Sequence, residues 1–232
     1  MYNREMKDKV IVITGASRGL GECITRSLAS LGAKLVISAR DAGALKKVAE
    51  DIGAISVIAD VTNEGAVQKI AAEAISKYDR IDIWINNAGI WPAPSAVEEA
   101  DMKKMHEVLE VNLFGMAHGC RAAVKQMKKQ GFGTIVNILS TAAIFARPTQ
   151  TTYAASKHAA KGYSDSLREE VKENGITVIG ICPGGIKTEL FGKNKPADFD
   201  QFMTPEYVTK KIIDNLLQDT PDPELVLLRP GQ

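Results

Sequence analysis

The stretch Val10-Ile-Val-Ile-Thr14-Gly15-Ala-Ser-Arg18-Gly19-Leu-Gly21 is an apolar β-branched run that passes directly into a glycine-rich turn. The run predicts a short buried strand, and the residues from Gly19 onward predict a helix. A helix N-terminus carries unpaired N–H groups and a positive dipole, so this turn can hold a pyrophosphate. Gly15 permits the tight turn, and Gly19 lets the backbone approach a phosphate closely. Gly21 allows the helix to pack against the sheet. The alternative is a plain strand-to-helix turn, since the spacing differs from the usual G-x-G-x-x-G.

The same alternation of short β-branched runs and longer amphipathic segments continues along the chain. It predicts crossover helices around a parallel sheet whose strands are buried on both faces. We therefore expect an α/β protein with a single-domain Rossmann fold over residues 1–232, a doubly wound parallel sheet of about seven strands flanked by helices. The predicted strands are Val10–Thr14, Lys34–Ala39, Ala54–Asp60, Ile81–Asn86, Thr134–Leu139, Ile176–Cys182 and, more weakly, Leu225–Leu228. The predicted helices are Gly19–Leu31, Ala42–Ile52, Glu64–Tyr78, Met102–Lys129 with an interruption, Tyr153–Asn174 and Pro205–Leu217.

Composition, net charge and cysteine spacing exclude several classes of partner and site. The 232 residues are 45% hydrophobic and 25% charged, and the net charge of +1 offers no field for nucleic acid or an anionic membrane. Three widely spaced cysteines, Cys23, Cys120 and Cys182, lie in segments that look buried and form no C-x-x-C pattern, so neither a metal site nor a disulfide is expected. The polar start lacks the apolar region of a signal peptide, and no run is long enough to cross a membrane. The expectation is a soluble cytoplasmic protein.

Tyr153-Ala-Ala-Ser-Lys157 and the upstream Ser140 form the strongest candidate for chemistry. Residues four apart on a helix share one face, about 6 Å apart along the axis, so the Lys157 side chain can reach the surroundings of the phenol. Ser140 follows a buried strand, where open α/β sheets place their ligands. Taken alone, the Tyr-x-x-x-Lys spacing is far more often that of a core tyrosine and a solvated lysine, because such pairs are common on helices.

Charge at the end of the second strand bears on the cofactor. Ala39 stands where a site selective for NAD presents an acid to the ribose, whereas Arg40 and Arg18 can embrace a 2′-phosphate. NADP(H) is therefore the preferred cofactor, with NAD(H) as the alternative. Asp41 is one position late for the ribose contact and is expected to cap the next helix.

Six motifs follow one another in a specific order over nearly the whole chain. They are Thr14-Gly-x-x-x-Gly-x-Gly21, Asn86-Asn-Ala-Gly89, Asn112, Ser140, Tyr153-x-x-x-Lys157 and Pro183-Gly184. In this set the chain closely resembles the short-chain dehydrogenase/reductase family. The resemblance implies an oxidoreductase that exchanges hydride between a nicotinamide cofactor and a ketone, aldehyde or alcohol.

The resemblance also implies the role of each site residue. Tyr153 would exchange a proton with the substrate oxygen, Ser140 would hydrogen-bond that oxygen, and Lys157 would lower the pKa of the phenol and bind the nicotinamide ribose. Asn112 would hold a water that connects Lys157 to solvent. Asp60 would contact adenine, and Ile186 and Thr188 would lie beside the nicotinamide. The implied cofactor contacts are Gly15, Ser17, Arg18, Gly19, Leu20, Gly21, Arg40, Asp60, Val61, Asn87, Ala88, Gly89, Tyr153, Lys157, Pro183, Gly184, Ile186 and Thr188.

The substrate is less well determined. A short substrate-loop region, about 186–204, is rich in aromatic residues, and Leu139 replaces the second serine that many relatives have before Ser140. No arginine or lysine is predicted to identify an acidic substrate. The residues expected to line the substrate pocket favour an apolar or aromatic carbonyl compound. Several of them are equally expected to pack a lid or an interface. The candidates are Trp91, Ile144, Phe145, Phe191, Phe199 and Phe202.

Two further functions stay open. One is a 3-oxoacyl-acyl-carrier-protein reductase, with Lys128 and Lys129 meeting an acidic carrier, although these lysines also complement a helix dipole. The other is a non-catalytic NADP(H)-binding sensor or scaffold. The resemblance also implies a homodimer or homotetramer. Four apolar residues could form its interface or could equally be buried in the core of the monomer; they are Val124, Met127, Tyr163 and Leu167.

Overall fold

A computed structural model describes residues 5–229, so the terminal parts of the predicted 1–232 unit lie outside the described residues. Seven parallel strands form one sheet in the order β3-β2-β1-β4-β5-β6-β7. Successive strands are added on one side of β1 as far as β3 and then on its other side from β4 onward, so the strand order reverses between β1 and β4. Folds of this kind bind ligands in the crevice beyond the carboxyl ends of the strands at that point. The strands are β1 Val10–Thr14, β2 Lys34–Ala39, β3 Ile55–Ile58, β4 Ile83–Asn86, β5 Gly133–Ile138, β6 Ile176–Pro183 and β7 Glu224–Leu227.

Seven α-helices connect and flank these strands. They are α1 Gly19–Ser30, α2 Ala42–Ile52, α3 Glu64–Tyr78, α4 Met102–Leu109, α5 Gly115–Gln130, α6 Thr151–Val171 and α7 Pro205–Leu216. Asp41 caps α2 by accepting from the Ala44 N–H, as the sequence predicts, and Thr204 caps α7 directly before a first-turn proline. The parallel sheet and its helical layers confirm the predicted Rossmann-type fold.

The predicted interruption of the helix over Met102–Lys129 is a widened turn rather than a break. Residues Glu110–Phe114 form a π-helical turn between α4 and α5, and the backbone stays right-handed helical through it. Such turns are rare and often occur at functional sites. Asn112, at the centre of this one, points its side chain inward rather than along the helix surface.

The predicted burial of every strand on both faces is wrong at the edge of the sheet. β3 pairs only with β2, over four residues, and alternates between half-buried and exposed side chains. Ile58 is 65% exposed. An edge strand loses one neighbour and part of the helical cover, so the predicted strand Ala54–Asp60 shortens at both ends.

Two apolar layers sandwich the sheet. Side chains of β1 alternate between them, with Val10 and Val12 facing α3, α5 and α6, and Ile11 and Ile13 facing α1, α2 and α7. Met127 is fully buried in the first layer, together with Leu167, and Val124 and Tyr163 pack against that layer. The monomer core therefore accounts for Met127 and Leu167, whereas Val124 and Tyr163 stay partly exposed and remain candidates for an interface. Cys23 is partly exposed, contrary to expectation.

Candidate active site

A cleft of about 610 Å³ opens at the carboxyl ends of the strands. This is the size of a small-molecule or cofactor site. The structure brings the turns after β1, β2, β4, β5 and β6 together around it. Besides Ser140, the walls contain every predicted cofactor contact: Gly15, Ser17, Arg18, Gly19, Leu20, Gly21, Arg40, Asp60, Val61, Asn87, Ala88, Gly89, Tyr153, Lys157, Pro183, Gly184, Ile186 and Thr188.

The glycine-rich turn depends on missing side chains. Gly15 and Gly19 have φ angles of 67° and 57°, the left-handed region that favours glycine. A Cβ on Gly21 would lie 2.1 Å from the Gly15 carbonyl oxygen. The Asn87 amide locks the turn by donating to the Thr14 and Gly15 carbonyls at 3.1 and 3.0 Å. The turn therefore presents bare backbone and the N-terminus of α1 to the cleft, a cradle that fits a pyrophosphate.

A buried hydroxyl at the adjacent strand end also fits a nucleotide. Ser38, near the end of β2, is fully buried, lines the cleft, and finds no hydrogen-bond partner among residues 5–229. Buried polar groups are nearly always paired, so this hydroxyl is suited to a polar ligand group. The sequence prediction missed Ser38, because its place inside an apolar strand resembles a core position.

Arginines flank the same end of the cleft. The Arg40 guanidinium lies 3.8 Å from the Asp60 carboxylate, and both side chains are substantially exposed. Partial burial opposes ionisation of Asp60, but hydrogen bonds from Thr62 and the nearby Arg40 hold the pKa of Asp60 below its usual value. Arg18 lines the cleft and forms no ion pair within the described residues.

The reactive hydroxyls meet at the centre of the cleft. Ser140 follows β5 and Tyr153 lies in the first turn of α6, and both line the cleft, with Ser140 close enough to the phenol to lower its pKa. The Lys157 ammonium donates to the Ile138 carbonyl at 3.0 Å and lies 5.8 Å from the centre of the Tyr153 ring. The structure thus places these three side chains close to one another in the cleft.

The expected lowering of the Tyr153 pKa is wrong for the protein alone. Burial raises the pKa of Tyr153 to about 12, against a smaller lowering contribution from the nearby Ser140 hydroxyl. Burial also lowers the pKa of Lys157, from 10.5 to about 8. The Lys157 ammonium donates to the Ile138 carbonyl, and within the described residues it makes no hydrogen bond to the phenol.

Asn112 lies behind the cleft rather than on its surface. Its Oδ1 accepts from the Ile90 N–H at 2.8 Å, and its Nδ2 donates to the Ile90 carbonyl and to the Ser156 hydroxyl at 2.9 and 3.1 Å. The side chain therefore ties the segment after β4 to α6. It makes no hydrogen bond to Lys157 in the part of the chain that the structure describes.

The far end of the cleft is aromatic. Trp91, Phe191 and Phe202 line it, and the Trp91 and Phe191 rings meet edge to face with centroids 4.9 Å apart. Phe199 packs behind Phe191 and Phe202 without lining the cleft. The predictions of Ile144 and Phe145 as lining residues are wrong: Ile144 packs against the core, and Phe145 is 48% exposed.

The sequence indicated no cation for recognition of an acidic substrate, but three cations lie at this end. Lys104, Arg147 and Arg229 all line the cleft. The position of Arg147 was available from the sequence, because it lies in the connection between Ser140 and Tyr153, two residues predicted to meet. Lys104 and Arg229 were not, because α4 and the residues after β7 reach the cleft only through the tertiary fold.

Other kinds of site find no support in the described residues. No helix within 5–229 is both long and apolar enough to cross a membrane. Within the same range, no three His, Cys, Asp or Glu side chains are grouped so that they could hold a metal ion.

Comparisons with known proteins agree with this geometry. The chain is 32% identical over 216 residues to D-beta-hydroxybutyrate dehydrogenase from Rhizobium meliloti (strain 1021), covering 90% of this chain and 82% of that protein. Two solved structures, each 28% identical, each cover 97% of this chain and 98% of their own. They are a 3-ketoacyl-(acyl-carrier-protein) reductase from Brucella melitensis complexed with NADH, with a TM-score of 0.89, and an alcohol dehydrogenase from the archaeon Thermococcus sibiricus complexed with 5-hydroxy-NADP, with a TM-score of 0.87.

A model of the short chain dehydrogenase family matches residues 9–198, which include the glycine-rich turn, Ser140, Tyr153 and Lys157. Together with the fold and the cleft, this match shows that the chain belongs to the short-chain dehydrogenase/reductase family of oxidoreductases.

Proposed function

We propose that this protein is an NADPH-dependent oxidoreductase that reduces a ketone or aldehyde, or oxidises the corresponding alcohol. The observation that carries the proposal is the Ser140–Tyr153 hydroxyl pair, which lies in a cleft whose other end is a glycine-rich turn with no side chain at Gly15 and Gly19. When bound, the nicotinamide cofactor supplies the hydride. The protein supplies orientation, a proton and stabilisation of the developing alkoxide.

In this proposal Tyr153 is the general acid. Its pKa of about 12 keeps the phenol protonated at neutral pH, as a proton donor to a carbonyl oxygen must be. Ser140 donates a second hydrogen bond to the same oxygen.

Lys157 and Asn112 complete the proposed proton path. A lysine with a pKa of about 8 is still mostly charged at neutral pH, so it holds a positive charge close to the phenol and can bind ribose hydroxyls. The Asn112 side chain is engaged with Ile90 and Ser156, so we assign the proposed water contact to its backbone carbonyl within the π-helical turn.

NADP(H) is proposed over NAD(H) because two guanidinium groups, Arg18 and Arg40, line the cleft beside the end of β2. Arginine matches phosphate oxygens with paired donors and keeps its charge. Asp60 competes weakly for Arg40, since a separation of 3.8 Å between exposed groups leaves the guanidinium free to turn toward a 2′-phosphate. The proposed roles of the remaining cleft residues are those given by the family resemblance.

A 3-oxoacyl-acyl-carrier-protein reductase is a second candidate, supported by the similarity to the Brucella melitensis reductase. Lys128 and Lys129 do not support it. They lie in the last turn of α5, which leads into the amino end of β5, at the edge of the sheet opposite the cleft. There they complement the dipole of α5.

A homo-oligomer and a cytoplasmic location are also proposed. Three free cysteines support the cytoplasmic location, because disulfides are rare in that compartment.

The test is NADPH consumption across a panel of ketones, aldehydes, quinones and acyl thioesters, repeated with Tyr153→Phe. We expect turnover with at least one class and a loss of about a hundredfold or more in the variant. Exclusive use of carrier-linked 3-oxoacyl chains favours the second candidate. Tight NADPH binding with no turnover of any carbonyl contradicts the enzymatic proposal and favours a non-catalytic sensor or scaffold.

A further inference from the structure

Arg147 is a cation of the cleft that the proposed reaction does not use. It lies in the connection between β5 and α6, its side chain is exposed, and it lines the cleft on the side of Ser140 and Tyr153. Within residues 5–229 no Asp or Glu carboxylate lies within 4.0 Å of its guanidinium. Its one recorded side-chain hydrogen bond goes to the Thr141 hydroxyl, at 3.4 Å.

The other cations at this end of the cleft are engaged. The Lys104 ammonium is 2.8 Å from the Glu107 carboxylate, and the Arg229 guanidinium is 2.7 Å from Asp198 and stacks on Phe202. Arg18 forms no ion pair in the described chain, but it lies in the glycine-rich turn at the cofactor end. Arg147 is therefore the guanidinium best placed to meet a negative charge on the substrate.

The connection holds Arg147 close to the reacting groups. Thr141 follows Ser140 directly, so a guanidinium in contact with the Thr141 hydroxyl lies within roughly 10 Å of the Ser140 hydroxyl. The Gln150 N–H donates to the Arg147 carbonyl at 3.3 Å, and the Ser95 N–H donates to the Thr149 carbonyl at 3.0 Å. These two bonds fix the turn on which Arg147 is carried.

We propose that Arg147 determines substrate specificity by binding the carboxylate of a short oxo acid whose ketone lies against Ser140 and Tyr153. This rests on the proposed function. A guanidinium pairs with a carboxylate through two parallel hydrogen bonds. Hydrogen bonds of about 3 Å at each end leave room for at most about one carbon between the ketone carbon and the carboxylate carbon, as in 2-oxo and 3-oxo acids. An apolar substituent of the acid would then face Trp91, Phe191 and Phe202. Reduction adds hydride to the ketone carbon and a proton to its oxygen, and leaves the carboxylate unchanged.

The first experiment compares 2-oxo and 3-oxo acids with their methyl esters, as substrates with NADPH. Arg147→Met is expected to lower kcat/KM for the acid by about tenfold or more, and for the ester by about threefold at most. Arg147→Lys keeps the positive charge but lacks the paired N–H donors of a guanidinium, so its kcat/KM for the acid should lie between those of the wild-type protein and Arg147→Met. Lys193→Met is the matched control. Lys193 lies in the substrate loop but does not line this cleft, so removal of its charge should change kcat/KM for the acid and for the ester to the same extent.

The second experiment measures binding without turnover. Trp91 lines the cleft, and the other tryptophan, Trp84, is fully buried, so ligand-dependent fluorescence reports on Trp91. Butyrate should bind more tightly than butyramide to the wild-type protein, and Arg147→Met should abolish the difference. Equal loss of acid and ester activity in Arg147→Met, or a butyrate preference that survives it, overturns the inference. Absence of any carbonyl reduction contradicts the proposed function instead, and the butyrate comparison then still decides the role of Arg147.

Discussion

Gly21→Ala is the substitution whose effect follows most directly from the structure. The new Cβ would lie 2.1 Å from the Gly15 carbonyl oxygen and 2.4 Å from the Asn87 amide nitrogen. Real contacts are longer by roughly 1 Å, and a tightly packed interior cannot absorb that shift without moving the turn. The variant must displace either the Gly15 peptide or the Asn87 side chain, which holds the turn through two hydrogen bonds.

The expected magnitude combines overpacking with weakened hydrogen bonds. Overpacking of this kind lowers the free energy of unfolding by about 1–3 kcal/mol. For a chain of this length each kcal/mol shifts Tm by roughly 2–4 °C, so a decrease of roughly 2–12 °C is expected. Because the displaced backbone is the proposed pyrophosphate cradle, the Kd for NADPH should rise by about tenfold or more, which is about 1.4 kcal/mol of binding free energy.

Gly162→Ala is the matched control. Gly162 is an exposed residue within α6, and a Cβ there would meet nothing within 4 Å. Alanine should stabilise this helix by about 0.5–1 kcal/mol without changing NADPH affinity. Thermal unfolding and a fluorescence titration with NADPH measure both quantities. A Gly21→Ala protein with wild-type Tm and wild-type NADPH affinity would refute the reasoning about the turn.

Two further predictions concern charge. Arg40→Ala should raise the KM for NADPH by about tenfold with much less effect on NADH, and an equal effect on the two cofactors would exclude Arg40 as the 2′-phosphate contact. The pKa of Lys157 falls from 10.5 to about 8 on folding, so between these values the unfolded chain binds more protons and the free energy of unfolding rises with pH. Denaturant titrations from about pH 8 to pH 10 should show this rise in the wild-type protein and a smaller one in Lys157→Met; identical pH dependence of the two proteins would contradict the burial of the ammonium.

The sequence predicted what local chemistry determines. The glycine-rich turn, the helix cap at Asp41, and the placing of Ser140 near Tyr153 and Lys157 depend on residue type and spacing, and the structure has all of them. The seven strands follow from the alternation of apolar runs, and their ends were misplaced mainly at the edge strand β3.

What the sequence could not show depends on distant contacts. The unpaired hydroxyl of Ser38 becomes evident only when the surrounding elements have been placed. Lys104 approaches the cleft from α4, and Arg229 from beyond β7, at the far edge of the sheet. The raised pKa of Tyr153 has the same origin, because burial is a property of the whole fold.

The most direct test of the proposed function uses NADPH labelled with deuterium at the transferable position of the nicotinamide. The product alcohol of the best substrate is analysed by mass spectrometry, with Tyr153→Phe in parallel and NADPH binding measured for both proteins. We predict deuterium on the carbinol carbon for the wild-type protein, and almost no product from a variant that still binds NADPH. Unlabelled product, or undiminished turnover by Tyr153→Phe, would contradict hydride transfer with Tyr153 as the proton donor.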